Sequence, residues 1–94
     1  MSATDRYTLH PSQIVFYGTS WCGDCRRARQ VFAQNQVPYV EIDIDSDPKG
    51  EAFVKQVNHG SRSVPTIVFP DGSTLTEPDN ATLAAHLRRF KVSA

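Results

Sequence analysis

Apolar and polar residues follow two different rhythms along this chain, and the rhythms mark out its elements. Ile14, Val15, Phe16 and Tyr17 form an unbroken apolar run, the pattern of a strand buried on both faces, which suits a central parallel strand. Over residues 26–35 the spacing changes. Ala28, Val31 and Phe32 fall on one side at helical spacing, with arginines and glutamines elsewhere. Residues 39–45 alternate apolar and acidic, as in a half-buried strand near a sheet edge. Ser46-Asp47-Pro48 opens a second helix, with either Ser46 or Asp47 as its cap and Pro48 in its first turn. Phe53, Val54 and Val57 form its buried side, and Asn58-His59-Gly60 stops it. Residues 66–69 read as a third strand, Pro70-Asp71-Gly72-Ser73 as a turn, and residues 74–76 as a fourth strand completing a hairpin. Pro78-Asp79-Asn80 begins a last helix, with Leu83, Leu87 and Phe90 at i, i+4 and i+7.

The order is β-α-β-α-β-β-α. A strand-helix-strand opening implies parallel pairing through a crossover, and the closing hairpin adds antiparallel strands. The expected fold class is α/β, a four-stranded mixed sheet with helices on both faces. Residues 1–13 carry turn formers and little periodicity, and are expected to form a flexible N-terminal tail, although Tyr7 and Leu9 could dock on the domain. Residues 14–94 are expected to form a single domain.

Composition narrows the function. The chain has 94 residues, enough for one domain. Its formal net charge is zero, which argues against a nucleic-acid binder that grips phosphates through a basic excess. No apolar run approaches the roughly 20 residues of a membrane-spanning helix, and the polar segment 1–13 is unlike a signal peptide. The expected compartment is the cytoplasm, where a close cysteine pair is more often catalytic or metal-binding than a structural staple.

Both cysteines of the chain lie in Trp21-Cys22-Gly23-Asp24-Cys25, between the first strand and the first helix. A C-x-x-C at that junction is a redox signature. The first N–H groups of a helix lack partners inside it, and the helix dipole places partial positive charge there, so a thiolate at Cys22 is stabilised. Arg26, Arg27 and Arg29 add positive field nearby. Gly23 removes bulk beside the sulfur. Asp24 acts against the thiolate unless it caps the helix or pairs with an arginine. The alternative chemistry is half a metal site, but zinc wants four ligands, and His10, His59 and His86 all lie far from the cysteines in sequence. No metal and no tightly bound cofactor is expected.

Trp21-Cys22-Gly23-Asp24-Cys25 at the first strand-helix junction, with Ser63-Val64-Pro65 before the third strand, resembles the thioredoxin superfamily over about residues 13–90. Within it the chain looks like the glutaredoxins, because residues 1–13 leave no room for the additional strand and helix that thioredoxins place first. The likeness is greatest to the mycoredoxins, glutaredoxin-like proteins of actinobacteria. It rests on Thr19-Ser20-Trp21-Cys22-Gly23 with Cys25, on Arg62-Ser63-Val64-Pro65-Thr66 and on Asp71-Gly72-Ser73-Thr74-Leu75-Thr76. The resemblance implies a cis Pro65 facing the cysteines and presenting the backbone of Val64 to an incoming thiol. It also differs from glutathione-using members at two places. Thr19 stands where many carry lysine, and Asp71-Gly72-Ser73-Thr74 stands for a Gly-Gly-x-Asp-type loop that holds the γ-glutamyl end of glutathione.

The implied activity is thiol–disulfide exchange. Cys22 is the expected nucleophile toward mixed disulfides between proteins and a low-molecular-weight thiol, and Cys25 the resolving thiol. Trp21, Gly23, Arg62, Val64, Pro65, Ser73 and Thr74 are the expected thiol- or substrate-binding residues. Mycothiol is the favoured co-substrate, with bacillithiol or glutathione as alternatives. The expected partners are S-thiolated or oxidised proteins and, indirectly, an NADPH-dependent reductase of the small thiol's disulfide, with the protein itself a monomer. The competing readings are a thioredoxin-like electron donor reduced by a flavoprotein reductase, and a binding module carrying an iron–sulfur cluster.

Overall fold

The computed structural model describes residues 5–90. Four strands form one sheet: β1 (Val15–Gly18), β2 (Val40–Asp43), β3 (Thr66–Val68) and β4 (Thr74–Thr76). Their spatial order is β2-β1-β3-β4. β1 pairs parallel with β2, placing Tyr17 opposite Ile42. β3 pairs antiparallel with both β1 and β4, placing Phe16 opposite Ile67 and Ile67 opposite Leu75. The expected mixed sheet and element order are present.

The helices are α1 (Gly23–Gln34), α2 (Pro48–Val57) and α3 (Asn80–Leu87), the last running into a 3-10 turn, Arg88–Phe90. Side chains alternate across β1, so its two aromatic residues serve opposite faces. Phe16 meets Phe32 of α1 edge to face at 5.9 Å, while Tyr17 packs on Phe53 of α2 at 5.1 Å. α3 packs against α1 and contributes Leu83 and Leu87, both fully buried. β1 is thus sandwiched between layers and is buried along its whole length. Burying each such aromatic or aliphatic side chain contributes on the order of 1.5–3 kcal/mol.

Boundaries differ from expectation in instructive ways. The second strand is shorter than residues 39–45. Tyr39 leaves the ladder to pack its ring between Phe16 and Phe32, with centroids 5.5 and 4.3 Å away. Asp47, not Ser46, caps α2 by accepting from the Gly50 N–H at 3.3 Å. Asn58 caps its other end. The Asn58 amide donates to Val54 O and Thr66 Oγ1, and its oxygen accepts from the Thr76 hydroxyl at 2.7 Å, so it ties α2 to the hairpin.

The expected tail, residues 1–13, includes Tyr7, one of the two residues read as able to dock. Residues 1–4, like residues 91–94 at the other end of the expected domain, lie outside the described residues. Residues 5–13 do not project away but lie against the domain. Asp5 is buried and accepts from the Ser12 N–H at 2.6 Å and from its hydroxyl at 2.8 Å, closing a turn. The Tyr7 N–H donates to the Tyr17 hydroxyl at 3.0 Å, and the Tyr7 hydroxyl donates to Asp47 Oδ2 at 2.7 Å. These are contacts between residues 10 and 40 positions apart. A periodicity reading cannot register them.

Tyr17 is therefore both a core ring and an anchor. Burial pushes its hydroxyl up to about 12 from an ordinary value of 10. Because the folded value is the higher one, its contribution to stability is fully present below pH 10 and is lost as pH rises toward 12. Tyr17→Phe is expected to cost about 1 kcal/mol at neutral pH through the orphaned Tyr7 N–H. It should also flatten the fall in stability across that alkaline window. Urea unfolding of the two proteins from pH 7 to 12 measures both effects, and superimposable pH curves would reject the assignment.

Candidate active site

Parallel pairing of β1 with β2, and antiparallel pairing of β3 with β1, bring four chain breaks to one edge of the sheet. They are the loop after β1 with the cysteines, the loop after β2 with Asp45, the loop before β3 with Arg62 and Pro65, and the exit from β4 at Glu77. Ligands in open α/β sheets bind at such carboxyl edges.

The cysteine loop is built by helix capping. Cys22 has extended backbone angles, φ −79° and ψ 120°, and is the N-cap residue of α1. Its Sγ accepts the Cys25 N–H at 3.1 Å, taking the place that a serine or aspartate oxygen usually fills. The helix consequently starts at Gly23, three residues before the expected 26. The sulfur points toward the third-strand loop, 3.8 Å from the Val64 carbonyl oxygen. The Val64-Pro65 peptide is cis, as the resemblance implied.

The two cysteines are not equivalent. Both are free thiols; Cys22 retains 8% exposure while Cys25 has none. Burial, and then the hydrogen bond with Cys22, push the Cys25 thiol up to about 12, against a smaller lowering by the Thr19 backbone. Gly18 lies directly behind it. A Cβ added there would stand 3.1 Å from Cys25 Sγ and 2.7 Å from the Phe16 ring, so glycine is what lets the helix start seat itself on the strand.

A cleft of about 540 Å³ opens over Cys22, lined by Trp21, Cys22, Gly23, Asp24, Arg62, Ser63, Val64 and Glu77. Trp21 is 65% exposed. Its indole N–H donates to Asp45 Oδ2 at 2.7 Å, and Arg62 bonds the other oxygen of Asp45. The Arg62 Nε donates to Glu51 of α2 at 2.6 Å. Arg62 and Trp21 together hold the Asp45 carboxyl below the usual carboxylate range. Asp24 pairs with Arg27 one turn along α1, which offsets its repulsion of a thiolate. Arg29 is more than a solvated charge. It grips both oxygens of Glu41 at 2.8 and 2.6 Å and donates to the Thr19 carbonyl at 2.8 Å, clamping α1, β2 and the loop.

Of the residues singled out in the sequence, Trp21, Gly23, Arg62 and Val64 gather around Cys22, and Pro65 adjoins them. Ser73 and Thr74 do not. Thr76 pairs with Thr66 at the site end of the hairpin and Thr74 with Val68, so Ser73 and Thr74 sit on the order of 7–10 Å further along the strands. Ser73 is engaged with Asp71 at 2.6 Å and with His86 at 2.9 Å, and Thr74 lines a separate groove with Tyr7 and Phe53. The hairpin instead returns Glu77 to the cleft, its N–H donating to Pro65 O at 2.9 Å. Sequence reasoning missed Glu77, Asp45 and Glu51. The available signal was that Asp45 and Glu77 lie just beyond the carboxyl ends of β2 and β4.

A glutaredoxin family model matches residues 14–73. A Mycobacterium tuberculosis (strain H37Rv) protein whose name assigns it to the glutaredoxins is 43% identical over 74 residues, covering 79% of this chain and 88% of the relative. Mycoredoxin 1 of Corynebacterium glutamicum is 36% identical over 76 residues, covering 81% of this chain and 94% of that protein. Among solved structures, glutaredoxin from Archaeoglobus fulgidus superposes with a TM-score of 0.65 at 25% identity over 81% of this chain and 86% of its own. A thioredoxin-like protein reaches 0.70 at 22% identity over 84% and 97%, a likeness of fold.

The geometry sets the reactivity of the pair. At pH 8 iodoacetamide is expected to label Cys22 and leave Cys25 unmodified, with Cys25 becoming reactive only as pH approaches 12. Asp24→Asn should speed Cys22 labelling about two- to threefold, because it removes a negative charge from the first turn of α1. Peptide mapping after timed alkylation reads both; labelling of Cys25 first would overturn the assignment.

Proposed function

The chain belongs to the glutaredoxin family and is a thiol–disulfide oxidoreductase, and on that premise we propose that Cys22 is its nucleophile toward protein mixed disulfides and Cys25 its resolving thiol. The observation that carries the proposal is the bond from the Cys25 N–H to Cys22 Sγ at the head of α1. A sulfur that accepts from a helix N-terminus is stabilised as an anion, and as a thiolate it can attack.

The Cys22 thiolate attacks the small-thiol sulfur of a mixed disulfide lying in the cleft. The S–S bond of the mixed disulfide breaks, the protein thiolate leaves with the electron pair and takes up a proton, and Cys22 is left bonded to the small thiol. A second molecule of small thiol, as its thiolate, then attacks that sulfur. It leaves as a symmetrical disulfide and Cys22 is regenerated as a thiolate. In the other branch Cys25 loses its proton and attacks Cys22 Sγ, expelling the small thiol and forming the Cys22–Cys25 disulfide. The raised Cys25 value favours the first branch, since little of Cys25 is thiolate near neutrality.

The proposed co-substrate is mycothiol, with no tightly bound cofactor. Two features support a sugar-bearing thiol over glutathione. Thr19 is buried rather than presenting a cation to the cleft, and the hairpin residues aligned to a γ-glutamyl-binding loop lie away from Cys22. The proposed partners are S-thiolated proteins and, through the small thiol, its NADPH-dependent disulfide reductase. A cytoplasmic monomer suits that role, and among the described residues no helix is long and apolar enough to cross a membrane.

A test protein loaded with mycothiol, bacillithiol or glutathione as mixed disulfides tests the reading. Cys25→Ser is expected to keep at least about half of the de-thiolating rate on the mycothiol adduct, and Cys22→Ser to lose it at least about a hundredfold, as for removal of a nucleophile. Equal loss in both variants would reject the monothiol route. Turnover only of an insulin-type disulfide, driven by a thioredoxin reductase, would move the protein to the electron-donor class.

A further inference from the structure

The charges around the cleft are arranged unevenly. Of its two acids, Asp24 is paired with Arg27. Its one cation, Arg62, is held by two carboxylates that lie behind it, Asp45 and Glu51. Glu51 in turn meets Lys55 at 3.5 Å. Glu77 differs from all of these. It lies at the exposed rim, in left-handed backbone with φ 49°, pinned by its N–H to Pro65 O, and its carboxylate has no ion-pair partner among the described residues.

We propose that Glu77 is a specificity-determining residue that makes the cleft over Cys22 discriminate by charge, accepting small thiols whose bulk is neutral and hydroxyl-rich and disfavouring those that carry carboxylates. The inference rests on the reading of Cys22 as the nucleophile that receives the small thiol, and deepens it. When Cys22 is bonded to the small thiol, the rest of that molecule occupies the space between Trp21, Val64 and Glu77. Among the described residues that line the cleft a carboxylate meets one cation, Arg62, whose charge is already offset by two carboxylates. It also shares the partly solvated cleft with Glu77, where like charges repel by enough to change binding several-fold. A hydroxyl there can donate to Glu77, and a hydrogen bond to an ionised acceptor is stronger than one between neutral groups. Arg62 thus acts as an internal cation that fixes the loop before β3 and one oxygen of the Asp45 carboxylate whose other oxygen holds Trp21, and not as a hook for an anionic substrate.

The test uses the full chain and two mixed disulfides of one test protein. One carries glutathione, which has two carboxylates and one ammonium; the other carries 1-thioglucose, which is neutral and hydroxyl-bearing. Glu77→Gln is expected to raise kcat/KM for the glutathione adduct about fivefold and to lower it for the thioglucose adduct about twofold, a tenfold change in preference. Glu77→Lys should carry the preference further toward glutathione. In the parent protein, raising salt from low to about 0.5 M should narrow the preference, because screening shortens the reach of exposed charges; in Glu77→Gln it should stay flat. Equal changes on both adducts would assign Glu77 a structural role and overturn the proposal. So would an unchanged preference with no response to salt. If the parent turns over neither adduct nor the mycothiol one, the reading of Cys22 itself fails, an outcome distinct from active turnover indifferent to Glu77. Circular dichroism of each variant confirms that the fold is intact.

Discussion

One hydrogen bond organises the active end of this molecule: the Cys25 N–H donating to Cys22 Sγ. A helix must satisfy its first N–H groups somehow, and here the reactive sulfur does it. The same contact starts α1 and fixes the sulfur's direction. Nothing in the bond would hold without the strand behind it. β1 is fully buried between the layers, and Gly18 at its end lets Cys25 approach within van der Waals distance of the backbone. The cost of the arrangement falls on Cys25, which is sealed away from solvent and kept neutral. The sulfur beneath the cleft is thereby set to react and the fully buried one held in reserve.

Asp24 illustrates how two demands on one position are reconciled. A carboxylate in the first turn favours the helix, because it faces the positive end of the dipole. The same charge opposes a thiolate at the cap. Pairing with Arg27 lets the helix keep the acid while part of its field at Cys22 is offset. Arg29 settles a different matter. Its fork to Glu41 and its bond to the Thr19 carbonyl lock the helix start to both β2 and the turn that carries the cysteines.

Much of the fold was legible because its signals are local. The apolar run at residues 14–17, the helix starts at Ser46-Asp47-Pro48 and Pro78-Asp79-Asn80 and the Pro70–Ser73 turn are all decided within a few residues of themselves. Where the reading fell short, the deciding partner was either an unusual capping atom or far away in sequence. The start of α1 was missed because a sulfur, not an oxygen, caps it. Residues 5–13 were assigned to a tail because Tyr7 finds its partners at Tyr17 and Asp47. Cys22, Trp21, Arg62 and Val64 are named from short motifs, and the fold gathers them at one cleft. Ser73 and Thr74 are named by matching Asp71-Gly72-Ser73-Thr74 to a Gly-Gly-x-Asp-type loop, although the hairpin register carries Glu77, not that turn, back to the cleft.

The network Trp21–Asp45–Arg62–Glu51 explains how a site made of loops can be held firmly. Its members come from the loop after β1, the loop after β2, the loop before β3 and helix α2. Each bond alone, at or near the surface, is worth little against solvent screening and side-chain entropy. Joined through one carboxylate that is bonded on both oxygens, they restrict one another, since moving any one breaks the next. An aromatic ring with 65% of its surface in water is then a fixed wall of the cleft and not a loose side chain. The cation of the network, Arg62, is thereby spent within the protein and Asp24 is paired with Arg27, so the sign presented to an incoming thiol is left to Glu77.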